Sequence, residues 1–272
     1  MPSDIQKRVT AIQGIPVSSA APTVGQVLQF NGTEYVPVNI VSYFTPKSIS
    51  GLQVWLAADI GVIQSSGNVS EWDDQSGNGN NVYQTLGANQ PTYNTTGGPN
   101  NAPYLSFSAT NNQYLENITV NPIIYNSTTV FSVHNVTITT GDPAPWSYGN
   151  QNGVQCFVQD ATGFRTVDFY TISSASAGTY TSVTWENWAL TSSNFPLQTF
   201  YVNGISTTLS ANNNTGITAS GGFFIGSSGE TAPGSPVLPM NGGIAEHISY
   251  NRVLSLGEIA AVGTYLSSKY AL

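Results

Sequence analysis

The densest run of acids in the chain is Glu71-Trp72-Asp73-Asp74-Gln75-Ser76. Cleaving a glycoside with retention needs two carboxyl groups about 5–5.5 Å apart across the bond. Ser76 ends this run without a second, opposed acid. Glu71, Asp73 and Asp74 are therefore read as turn formers and hydrogen-bond acceptors beside Gly77-Asn78-Gly79, no catalytic residue is assigned, and the protein is not expected to be an enzyme. His134 and His247 are the only histidines. No Gly-x-Ser-x-Gly elbow accompanies them, and Glu246-His247 lies in a strand pattern, where neighbours face opposite sides. Both histidines are read as structural. Calcium takes several carboxylate and carbonyl oxygens. Asp73, Asp74, Asn78 and Asn80 carry such oxygens, as do Asp142 and Asp160, but none has the spacing of a helix-flanked calcium loop. The reading is an ordinary Asx-rich turn, with neither a metal nor a cofactor. Sugar recognition combines aromatic faces with planar amides and carboxylates. The segment from Gly141 to Gly153 offers all of these: Trp146 and Tyr148, with Asp142 and Asn150, are the candidate carbohydrate contacts. The alternative there is a loop whose aromatics fold back onto the core.

These side chains need elements to hold them. From Gly51 to about Tyr250 the pattern is one of short strands. Leu52–Leu56, Pro103–Phe107, Thr128–Val133, Val154–Val158, Thr199–Asn203, Gly222–Gly226 and Gly243–Tyr250 all read as β, separated by stretches rich in Gly, Asn, Ser and Pro. Trp55, Trp72, Trp185 and Trp188 lie in or beside such patterns and are read mostly as core. The spacing predicts an all-β fold: a two-sheet antiparallel jelly-roll sandwich. One helix is expected near 255–269, where Ser255 and Glu258 form a capping box and Ile259, Val262 and Leu266 recur at helical spacing. Lys269 falls in its last turn, where it suits the helix dipole.

The first 46 residues differ from the rest. Lys7 and Arg8 balance Asp4 and Glu34, so the net charge of −8 resides in 47–272. Gln26–Phe30 and Tyr35–Val38 flank Asn31-Gly32 and read as a hairpin. A lone hairpin cannot bury its apolar face, so this arm needs a partner. The division is a short N-terminal arm, 1–46, and a main domain, 47–272.

Composition excludes several classes. Charged residues are 7% of the chain, with six basic side chains among them. Phosphate binding needs clustered Lys and Arg, so no nucleic-acid partner is expected. No apolar run reaches transmembrane length, so no membrane insertion is expected. Cys156 is the single cysteine and can form no intrachain disulfide. The N-terminal stretch has no apolar run suited to a signal peptide. Asn31, Asn68, Asn94, Asn117, Asn126, Asn135 and Asn213 head Asn-x-Ser/Thr sequons. In a chain this rich in Asn, Ser and Thr they are not read as glycosylated.

Five segments together resemble the concanavalin A-like, laminin-G-type domains. They are Gly51–Asp59; the Val69 to Asn80 run around Ser76-Gly77-Asn78-Gly79; Gln90–Tyr93; Pro103–Phe107 with Asn112–Leu115; and Asn241–Ser255 with the helix behind it. The resemblance covers roughly 50–272 and implies the jelly roll. Hydrolases of this fold carry Glu-x-Asp-x-x-Glu on one strand, and Ser76 stands where the second Glu belongs. Separately, Pro16–Pro37 resembles the linker repeats of bacteriophage fibre and other virion appendage proteins.

The two resemblances imply a non-enzymatic virion structural protein, a fibre or capsid-decoration subunit. The arm would join other virion proteins in a homotrimer, and the lectin-like head would contact host-surface glycans. The alternative is a bacterial surface or secreted carbohydrate-binding module, and behind it a polysaccharide-cleaving enzyme.

Overall fold

The structure, a computed structural model, describes residues 10–20, 23, 26–39, 44–119, 127–138, 141–149, 154–158, 164–169, 174–193, 197–210, 221–232 and 234–272. The chain divides into two compact units, Met1–Phe44 and Thr45–Leu272. In the first, Ala11–Ile12 pairs with Ile15–Pro16, and Gln26–Phe30 pairs antiparallel with Tyr35–Asn39. Asn31 closes the second hairpin as an Asx turn. Its Oδ1 accepts from the backbone N–H groups of Thr33 and Glu34, both at 3.0 Å. Lys7 and Arg8 lie outside the described residues.

The second unit is an antiparallel β-sandwich with a C-terminal helix. Its principal strands are β1 (Leu52–Ala57), β2 (Ser127–Val136), β3 (Trp146–Tyr148), β4 (Glu186–Ser193), β5 (Leu197–Val202), β6 (Ile205–Ser210), β7 (Phe223–Ile225) and β8 (Gly242–Tyr250). Helix α1 (Leu256–Tyr270) follows. One sheet runs β6-β5-β4-β2-β8-β1. The other begins with Ser174–Thr179, Phe164–Phe169 and Val154–Val158, passes through β3 and β7, and continues into Leu115–Asn117, Val82–Tyr83 and Asn68–Trp72. Tyr104–Phe107 pairs with the start of β8 and with Thr92–Asn94, which joins the two ladders into one circuit.

Period-two alternation decides which residues meet between the sheets. Val54, Leu56, Val130, Trp188, Leu190 and Phe200 face inward from the first sheet. Trp72, Leu115, Trp146, Tyr148, Phe223 and Ile225 face them from the second. Each such side chain contributes about 1.5–3 kcal/mol by leaving water. The first sheet carries a second apolar face: Phe131, Ala189, Ile248 and Tyr250 are also buried, as are Val262, Leu266 and Tyr270 of α1. The helix is what this outer face requires. Ser255 caps it, with Ser255 N–H donating to Glu258 Oε2 at 2.9 Å and Glu258 N–H donating to Ser255 Oγ at 3.4 Å.

The expected strands and helix are present. Phe164–Phe169, Ser174–Thr179 and Ile205–Ser210 are strands that the pattern did not announce.

Candidate functional site

The Asp74 turn is a structural knot. Asp74 Oδ1 accepts from the N–H groups of Trp55 at 2.9 Å and Ser76 at 2.8 Å. Its Oδ2 accepts from Ser76 Oγ at 2.6 Å and Asn80 N–H at 3.0 Å. Ser76 Oγ, Asn78 Nδ2 and Asn80 Nδ2 also reach the Gln53 carbonyl. The turn is therefore bound to β1, and both Asp74 oxygens are occupied by protein donors. Glu71 and Asp73 share the Asn81 carboxamide, which donates to each at 2.8 and 2.9 Å. Burial, and then Glu71 beside it, raises the Asp73 carboxyl above its ordinary value. These acids serve as turn acceptors, as their spacing indicated. Asp160 lies outside the described residues. Among the described residues no group of three or more His, Cys, Asp or Glu side chains is arranged to hold a metal.

The candidate sugar contacts fall elsewhere than expected. Trp146 and Tyr148 do not lie in a loop. They form β3, between Val154–Val158 and β7, and alternation turns both rings into the sandwich. Trp146 is 2% exposed and Tyr148 0%, so neither presents a face to a ligand. The aromatic-loop assignment is corrected to core on that ground. Asp142 is half-buried, with a left-handed φ of 53°, just before this strand. Asn150 lies outside the described residues.

Among the apolar side chains, β3 also meets polar ones inside. Tyr148 OH bonds His247 Nε2 at 2.7 Å, and Ser132 Oγ bonds His134 Nδ1 at 2.9 Å. Ser132 pairs with His247 across β2 and β8. Trp188 packs edge-on to His134 with centroids 4.4 Å apart. Burial pushes both imidazoles down to about 3. Burial likewise raises the Cys156 thiol well above its usual range, which makes it unreactive.

Glu246 faces the other way, as alternation requires. It is fully buried yet satisfied: Oε1 accepts from Trp55 Nε1 at 2.7 Å and Tyr265 OH at 2.9 Å, and Oε2 from Tyr270 OH at 2.7 Å and Lys269 Nζ at 2.9 Å. Lys269 also donates to Asp59 at 2.8 Å. This cluster clasps the last turn of α1 to β8.

Among the described residues, a space open to a small molecule lies beside that helix. A groove of about 490 Å³ runs between α1 and the outer face of β2, β4 and β5. Its floor is Phe131 and Ala189, with Tyr201 and Asn187 on the sheet side. From α1 it takes Leu256, Ile259, Ala260, Gly263, Thr264, Ser267 and Ser268. The helix positions recur every three or four residues and so form one stripe. That stripe is apolar toward Leu256 and hydroxyl-bearing toward Ser268. Asn203-Gly204, the tight turn joining β5 to β6, borders the groove, with φ of 48° and 81°. Among the described residues none of the lining side chains is ionisable apart from the Tyr201 phenol. Sequence reasoning missed this site. Tyr201, Asn187 and Thr264 lie far apart in the chain and belong to no motif.

No family model matches the chain, and no curated protein matches it. Solved structures resemble it in fold. The binding domain of Paraclostridial Mosquitocidal Protein 1 superposes with TM-score 0.57 at 14% identity, over 80% of this chain and 52% of that one. The binding domain of Botulinum Neurotoxin DC in complex with SialylT gives TM-score 0.55 at 13% identity, over 82% and 52%. Domain 4 of AbnA, a GH43 extracellular arabinanase from Geobacillus stearothermophilus, in complex with arabinotriose, gives 0.51 at 14%, over 79% and 97%. The chain thus spans about half the length of the toxin binding domains and nearly all of the arabinanase domain. At these identities the likeness establishes the sandwich fold alone.

Proposed function

We propose that the 45–272 unit is a carbohydrate-binding module that holds a glycan without cleaving it. The observation that carries this reading is the uncharged groove beside α1. There the Tyr201 ring shares the lining with a carboxamide, Asn187, and the hydroxyls of Thr264, Ser267 and Ser268. An aromatic face for C–H patches beside planar amides and hydroxyls is what sugar recognition asks for. Two of the fold neighbours carry a sugar ligand in the complexes described, SialylT and arabinotriose, which supports the same reading. The absence of an acid from the described lining supports binding over hydrolysis, because cleavage requires a carboxyl pair. The test is a glycan array probed with the full chain and with Tyr201→Ala. At least one neutral glycan class should be retained by the native protein and lost by the variant. An array on which nothing binds above background refutes the reading.

A second reading adds a role to the arm. The Gln26–Phe30 strand leaves Val27 45%, Leu28 36% and Phe30 46% exposed. Apolar side chains on an isolated hairpin favour a partner surface. On this reading 1–46 attaches the subunit to a virion, as a trimeric fibre or decoration protein, and the module adheres to host glycans.

A further inference from the structure

Resting on the glycan-binding reading, we propose that the groove selects a neutral oligosaccharide bearing N-acetyl groups, with an acetamido group between Asn187 and α1 and a sugar ring on Tyr201. Three observations converge. Asn187 is 4% exposed, and its Oδ1 has no hydrogen-bond partner. A buried acceptor without a donor is unfavourable, and an amide N–H is a donor of matching kind. The terminal torsion of an Asn is soft, so a small rotation presents that oxygen to the groove its side chain lines.

Second, the lining is graded. Asn187 pairs with Val133 and Ala189 with Phe131, which places Asn187 toward Ala245, where Tyr270 docks, and Phe131 nearer the start of α1. The amide therefore shares its end of the groove with Ser267 and Ser268, and the other end is Leu256 and Ile259. An acetamido group combines a donor, an acceptor and a methyl. Its N–H meets Asn187, its carbonyl meets the helix hydroxyls, and its methyl turns along α1 toward the apolar end of the groove. A plain hydroxyl supplies polar contacts only and has no apolar group to offer the Ile259 and Leu256 side of the groove. About 12 residues of helix border the groove, roughly 18 Å at 1.5 Å per residue, which is room for more than one sugar.

Third, charge is missing. No lysine, arginine or histidine lines the groove among the described residues. A sialylated or otherwise anionic glycan would lose hydration there with no cation to offset it. The groove thus favours neutral glycans over acidic ones.

The experiment is titration calorimetry on the full chain with triacetylchitotriose, cellotriose, 3′-sialyllactose and lactose. Triacetylchitotriose should bind at least tenfold tighter than cellotriose, and sialyllactose no tighter than lactose. Asn187→Leu should cut the acetamido advantage to within threefold. The paired change Ser267→Ala with Ser268→Ala, which removes the helix hydroxyls at the same end, should do the same should the Leu variant fail to fold. Equal binding of the acetylated and plain trisaccharides overturns the proposal, as does preference for the sialylated sugar. So does an acetamido advantage unchanged in every groove variant. Those results leave glycan binding standing if Tyr201→Ala still abolishes retention on the array. An empty array removes both.

Discussion

Two imidazoles buried in one core make the sandwich acid-labile. His134 and His247 are both fully buried, and burial holds each at about 3 in the fold. In the unfolded chain a histidine titrates near 6.5. Below that pH the unfolded state binds protons that the folded state refuses, so stability rises with pH in this range and falls on acidification. The contribution is complete above about pH 7 and erodes as pH drops from 6.5 toward 3. At pH 4.5 each histidine costs two pKa units, about 2.7 kcal/mol at 1.36 kcal/mol per unit. The pair costs about 5 kcal/mol, a large part of the 5–15 kcal/mol that holds a typical domain. The clearest carboxylate effect lies lower: Glu258, held at about 2 by Arg252, gives up its contribution only below its unfolded value of roughly 4.5. The assay is the urea midpoint by tryptophan fluorescence at pH 7.5, 6.5, 5.5 and 4.5. It is run on the native chain and on the His134→Gln, His247→Gln double variant, whose amides keep hydrogen bonding to Ser132 and Tyr148 without titrating. The native midpoint should fall steadily, and the variant's should stay nearly level. A native midpoint constant from pH 7.5 to 4.5, or imidazole protons that titrate near 6.5 by NMR, would refute the argument.

Glu246→Gln should destabilise the 45–272 unit by about 3–5 kcal/mol, since it strips the counter-charge from Lys269 beside a buried site and breaks the clasp on α1; thermal melting reads this directly. Asp74→Ala removes the acceptor for Trp55, Ser76 and Asn80 together, and should lower stability by about 2–4 kcal/mol while leaving glycan retention on an array intact; loss of retention without loss of stability would move the binding site to this turn. Removing residues 1–44 should leave the melting temperature of the remaining unit within a few degrees and abolish any self-association seen by light scattering; a truncated chain that melts many degrees lower contradicts an arm that works through partners.

The fold was legible because its signals are local. Ser255 and Glu258 cap a helix wherever they meet an apolar run at helical spacing, and α1 begins at Leu256. Apolar alternation in Ser127–Val136 and Gly242–Tyr250 marks the two central strands, which are buried on both faces. Ser174–Thr179 carries no such mark: its sequence, Ser-Ala-Ser-Ala-Gly-Thr, has little apolar contrast, and it is drawn into the sheet by pairing with Phe164–Phe169. Its strand character comes from a neighbour, which composition does not reveal. The Asp74 turn was read correctly for a related reason, because Asx turns close within a few residues.

The Trp146 and Tyr148 pair reads as a loop for the opposite reason. Trp146 and Tyr148 sit among Gly, Pro and Asn, and that composition imitates an exposed aromatic loop. The same Trp-Ser-Tyr triplet is also an alternating strand, and the sheet has room for one between Val154–Val158 and β7. Burying two large rings outweighs leaving them in water, so the strand wins. On the proposed reading, a binding surface comes from what the core does not use. On the outer face of the first sheet, α1 covers Val262, Leu266 and Tyr270 completely but leaves Ile259, Gly263 and Ser267 half-buried along its flank. A single helix is narrower than the sheet beneath it, so one flank stays open over β4 and β5. The groove at Tyr201 and Asn187 follows from that mismatch in width. It is a property of how two elements cross, and no stretch of the sequence contains it.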